Sequence, residues 1–155
     1  MVSAVEKPTL KLSYANRRKI EDELASYHAS KAAIAERRLL LLEGGDSRSV
    51  EDVPVRRTSI SDPTGWRAAQ LGDDERLREL ERFTRVVDGV RIDMARTERG
   101  RLVRYVLNRY YGLDHHPCAG VTQLQRDLQV SAQTVVRYRD LGLLAIAVRL
   151  GWVSV

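Results

Sequence analysis

The chain has 155 residues, a formal net charge of +5, 43% hydrophobic and 30% charged residues, and a single cysteine. That length holds one ordinary domain, or a small domain with an extended arm. One cysteine excludes an internal disulfide and suits a reducing cytoplasm, where the chain is expected to reside. The longest apolar runs, such as Leu141–Val148, fall well short of the roughly 20 residues a membrane span needs. No charged-then-apolar secretory pattern opens the sequence.

Taken in chain order, residues 1–13 read as a loose leader. From Tyr14 to Glu43 there is no Gly or Pro and strong helix formers dominate. Ile20, Leu24, Tyr27, Ile34 and Leu41 trace a broken apolar stripe along it. The expectation is one long helix, about 45 Å at 1.5 Å per residue, stopped by Gly44-Gly45-Asp46. Residues 1–45 are thus an N-terminal arm and residues 46–61, rich in Ser, Asp, Pro and Arg, a flexible linker. Asp62 and Pro63 look like the N-cap and first position of a helix. A second long helix is expected from Asp73 or Asp74 to about Arg96, with Leu77, Leu80, Thr84, Val87 and Met94 on one side. Gly89 inside it is a weakness of about 1 kcal/mol. A further helix spans Arg99 to Tyr111, with Leu102, Tyr105, Val106 and Arg109 at its spacing, and Gly112 ends it. Leu113–Gly120 is a loop. No strand pattern appears, so the fold class is all-α. The two long helices pair either within one chain, as a helical hairpin or coiled-coil-like pair, or across a homodimer.

Thr122 to Leu150 is the most informative stretch. Leu124 and Leu128 stand four apart on one face of a short helix. Gln129 and Val130 make a turn, with Val130 able to plug the angle between helices. Ser131 is a good N-cap for a second helix. Val135, Tyr138 and Leu141 give that helix a buried stripe, which leaves Ala132, Gln133, Val136, Arg137 and Arg139 facing outward near its start. This is a helix-turn-helix, a motif whose second helix lies in the major groove of duplex DNA. Charge agrees. Residues 101–155 carry seven Arg, no Lys and three acids, a net of +4, against +2 for residues 1–60 and −1 for residues 61–100. Basic charge gathered on one module is the footprint expected for phosphate contacts.

In the order of its parts the chain resembles the phage late-transcription regulators of the RinA and ArpU type. The residues that carry this are Ser61–Gly65, the Leu- and Arg-rich stretch Leu77–Val90, Arg109–Gly112 with its Arg-Tyr-Tyr-Gly end, and Val121–Leu150 running into Gly151-Trp152. The C-terminal half, about residues 99–152 within a helical domain of 62–155, is also similar to the fourth region of bacterial sigma factors. The resemblance implies a prophage-encoded, sequence-specific activator of late operons that works with host RNA polymerase. It places Ala132, Gln133, Thr134, Val136 and Arg137 on the recognition helix. Several relatives have basic residues directly after the N-cap Ser, where this chain has Ala132 and Gln133.

Chemistry assigns roles within that set. A guanidinium pairs bidentately with guanine O6 and N7, which makes Arg137 the best direct reader, and Gln133 can do the same with adenine N6 and N7. Arg126, Arg139, Arg104 and Arg109 are candidate phosphate clamps, and Ser131 can offer its backbone N–H to a phosphate while capping. Arg149 reads as plain surface charge. Asp114-His115-His116-Pro117-Cys118 crowds ligand types into one loop without a second cluster, unlike a zinc site. No nucleophile-base set or cofactor motif is present, so neither an enzyme nor a cofactor is expected. Two other functions compete: a small-terminase-like DNA-packaging adaptor, and a polymerase-binding module that does not touch DNA.

Overall fold

The computed structural model describes residues 12–43 and 63–153, with side chains over 12–39 and 75–153. The expected leader up to residue 11, the Gly44–Asp46 stop, the linker and the Asp62 cap lie outside them. Among the described residues all regular structure is helical, in six segments: α1 Tyr14–Ala25, α2 Tyr27–Glu43, α3 Pro63–Met94, α4 Glu98–Tyr111, α5 Val121–Leu128 and α6 Ala132–Leu150. The all-α expectation holds. No helix there is long and apolar enough to cross a membrane.

The first long helix is interrupted. Ser26 breaks the run between α1 and α2, its hydroxyl donating to the Glu23 carbonyl at 3.2 Å and the Asp22 carbonyl at 3.4 Å. A serine that bonds back to the preceding turn competes with the regular ladder and bends it, a local effect that composition alone does not reveal. The second long helix errs the other way. Pro63 begins a single helix of 32 residues, and Gly65 and Gly72 do not divide it. Each interior glycine costs about 1 kcal/mol, less than nucleating a fresh helix after a break.

The chain divides into two compact units, residues 29–82 and residues 1–28 with 83–155. In the first, Ser30 and Ile34 of α2 are buried and Arg38 pairs with Glu81 of α3 at 3.2 Å. That ion pair ties α2 to α3.

In the second unit α1 belongs with the C-terminal helices instead of standing apart as an arm. Its core draws Ile20, Leu24 and Tyr27 from the N-terminal residues, Phe83, Val87 and Val90 from α3, Leu107 from α4, and Leu143, Ile146, Ala147 and Leu150 from α6. Asn16 donates from Nδ2 to the Trp152 carbonyl at 2.8 Å, and Lys19 lies 4.4 Å from the Trp152 ring centroid. Beneath the aliphatic core runs a polar network: the Tyr27 hydroxyl donates to Asp88, and Arg91 reaches Asn108 Oδ1 at 2.8 Å. Buried polar groups keep their partners, as the low interior dielectric requires.

α4 and α6 approach closely where Gly142 meets Leu107. A Cβ on Gly142 would sit 2.9 Å from Leu107 Cδ1. α4 opens on Thr97, whose hydroxyl accepts from the Gly100 amide at 3.0 Å, and closes on Gly112 at φ 67°, as expected. The Leu113 amide then returns to the Asn108 carbonyl at 2.9 Å, satisfying an orphan carbonyl of the helix end. Gly89, expected to be a weakness, leaves room for the Arg149 guanidinium, which pairs with Asp93 at 2.8 Å. Arg149 is thus a tie between α6 and α3.

Candidate nucleic-acid interface

The helix-turn-helix has a small core of its own. Leu124 of α5, Val135 of α6, Val106 of α4 and Ala119 of the preceding loop are buried together, with Val130 and Tyr138 packed against them. Val130 does plug the interhelical angle. Gln129 makes the turn in the left-handed region, φ 54° and ψ 41°, with the Val130 amide bonded to the Gln125 carbonyl at 3.3 Å. The Ser131 hydroxyl accepts from the Thr134 amide at 3.2 Å and lies 2.9 Å from Thr134 Oγ1. Ser131 and Thr134 are therefore both engaged in starting α6.

The buried face of α6 differs from the expected stripe. Val135 is fully buried, but the line continues through Gly142, Leu143, Ile146, Ala147 and Leu150. Tyr138 and Leu141 are both half-buried, Tyr138 against the small core and Leu141 along the strip that carries Gln133 and Arg137. The helix needs a face that meets both α4 and α1, and that wider contact places the fully buried line beside Leu141 instead of through it. Gln133, Val136, Arg137, Asp140, Leu141 and Leu144 line one shallow depression along the outward side. They recur at three and four residues, so they form one continuous strip.

The residues proposed for DNA fall into two groups. Ala132, Gln133 and Arg137 are exposed on the first turns of α6, with Val136 half-buried among them. Arg126 is exposed on α5, and Arg104 is half-exposed on α4. Among the described residues Arg137, Arg126 and Arg104 have no ion-pair partner. Arg109 and Arg139 are placed otherwise. Arg109 Nη1 reaches the Pro117 carbonyl at 3.4 Å and so fastens the α4–α5 loop. Arg139 lies over the Tyr110 ring at 5.3 Å, donates to its hydroxyl at 3.3 Å, and grips Asp140 Oδ1 through Nε and Nη2 at 3.1 Å each. Burial opposes the Arg139 charge, yet the hydrogen bonds to Tyr110 and Asp140 and the Asp140 charge outweigh it and raise its pKa. Both side chains hold the module together instead of projecting from it.

Two residues of this surface escaped the sequence reading. Asp140 follows Arg137 by three positions, so helical spacing alone would have put it on the outward strip. Arg17, 2.7 Å from Asp140 through Nη2, is 123 residues away in sequence and left no local signal.

The Asp114–Cys118 loop has a packing role. His115 stands at φ 63°, and its ring lies 4.0 Å from that of His28, whose Nε2 donates to the Gly112 carbonyl at 2.7 Å. Among the described residues no three His, Cys, Asp or Glu side chains gather as a metal would require.

No protein-family model matches the chain, and no curated protein or solved structure matches it either.

Proposed function

We propose that this chain is a sequence-specific duplex-DNA-binding regulator of transcription, of the phage late-gene activator kind that its order of parts resembles. The observation that carries the reading is the pair Gln133 and Arg137, exposed and one turn apart at the start of α6. That helix leaves α5 by a tight turn with its own packed core. A major groove admits one helix, and the amide and guanidinium on that helix match the paired acceptor and donor groups on adenine and guanine. Arg126 and Arg104, exposed or half-exposed on neighbouring helices, supply charge for phosphates and set the register without reading sequence. Host RNA polymerase is the second partner in this reading, as the resemblance implies.

The test is selection of bound sites from random duplex DNA at about physiological salt. An enriched motif supports a specific regulator, and two-fold symmetry in it would reveal a dimer on half-sites. Tight binding without a motif would replace the regulator by a packaging or architectural protein. Absence of binding would leave only contact with polymerase.

A further inference from the structure

We propose that Arg17, far from α6 in sequence, is part of the DNA interface: it completes the neutral cluster of charges around Asp140 and thereby lets the reading face of α6 approach phosphates. The inference rests on the DNA-binding reading above.

Asp140 is the only acid in α6. It lines the same strip as Gln133 and Arg137, and its side chain is 42% exposed. An uncompensated carboxylate on that strip would oppose a polyanion across a short gap, and like charges at an interface suppress association. Asp140 is bracketed instead. Arg17 Nη2 lies 2.7 Å from Oδ1, and both Nε and Nη2 of Arg139 lie 3.1 Å from the same oxygen. Arg17 also pairs through Nε with Glu21 Oε1 at 3.3 Å, and the Tyr111 hydroxyl donates to that oxygen at 3.1 Å. Two guanidiniums thus face two carboxylates, and the cluster is neutral. Arg139 offsets one carboxylate from α6's own side, and α1 brings both Glu21 and Arg17, so removing Arg17 leaves a second carboxylate beside Asp140 without its counter-charge. Arg17 acts through Asp140 and is a positioning residue, not a base reader.

Charge counting separates this role from simple fastening of α1 to α6. Arg17→Ala leaves the cluster at −1, Asp140→Asn leaves it at +1, and the double variant returns it to zero. Binding is measured on a duplex recovered from the selection and on a random-sequence duplex, across salt, with Tm recorded for each variant. Arg17→Ala is expected to weaken both duplexes by about three- to tenfold at low salt, a loss that shrinks as salt rises. Asp140→Asn alone is expected to tighten both, with a salt slope steeper by about one unit. The double variant is expected to return to within about twofold of the wild type. If Arg17 merely fastened the helices, Asp140→Asn would weaken binding as Arg17→Ala does, and the double variant would show no recovery. Either that pattern or unchanged binding by Arg17→Ala overturns the inference while leaving the DNA-binding reading intact. A wild-type chain that binds neither duplex removes both, and that outcome is read from the wild type alone.

Discussion

Leu124→Ala is the sharpest probe of the helix-turn-helix as a packed object. Leu124 is fully buried, with Val106, Ala119 and Val135 around it on α4, the loop and α6. The substitution removes the equivalent of three methylenes, about 2.4 kcal/mol at about 0.8 kcal/mol each. A residual cavity adds to that. Its walls belong to three elements that are separately anchored, Val106 through the α4–α6 contact and Val135 through the Ser131 cap, so collapse is incomplete. The sum is about 3–4 kcal/mol, within the range found for buried leucines elsewhere. For a chain of this size that lowers Tm by roughly 10 °C. Urea and thermal unfolding followed by far-UV circular dichroism read it directly. Leu39→Ala, at a side chain left 57% exposed, is the control and is expected to stay within about 0.5 kcal/mol. A loss below about 1 kcal/mol for Leu124→Ala would refute the small core as drawn.

Further predictions bear on the backbone, the reading face and pH. Gly142→Ala sets a helix-propensity gain of about 1 kcal/mol against displacement of Leu107, which is fully buried and 2.9 Å from the new Cβ. We expect a net loss of about 1 kcal/mol in urea unfolding, and a gain would show that α4 and α6 are not in close contact there. Gln129→Gly relieves a left-handed residue, worth about 1–2 kcal/mol, at an entropic cost of about 0.5–1 kcal/mol, so Tm is expected to rise slightly. A fall in Tm would contradict the turn geometry. Arg137→Ala is expected to cost about 1–3 kcal/mol on the selected duplex and to relax sequence preference, whereas Arg126→Ala weakens all duplexes and lowers the salt slope by about one. Equal losses on selected and random DNA for both would end that division of labour. Finally, burial first, then the Glu21 charge and its hydrogen bond, hold the Tyr111 phenol well above the ordinary tyrosine range. A raised folded pKa gives stability that is complete below the unfolded tyrosine pKa of 10.0 and lost as pH climbs beyond it. Tyr111→Phe is therefore expected to flatten the alkaline fall in stability, and an unchanged slope would refute the coupling.

What the amino-acid sequence determined by itself is what nearest neighbours decide. The ends of α4, α5 and α6, the Ser131 cap, the Gly112 stop and the Val130 plug depend on residues within about a turn of each other, so their types were enough. The exposed Gln133 and Arg137 followed from the same periodicity. Tertiary structure decided the rest. Leu141 stayed half-buried, beside the fully buried line, because α6 must face α1 as well as α4, and no spacing within α6 announces a second neighbour. Arg109, Arg139 and Arg149 carry identical side chains to Arg126 and Arg137, yet Pro117, Tyr110 with Asp140, and Asp93 engage them. Whether a guanidinium is free for a phosphate depends on which carboxylate, carbonyl or ring folding brings within about 3 Å, and for Asp140 that partner is Arg17 on a helix at the other end of the chain.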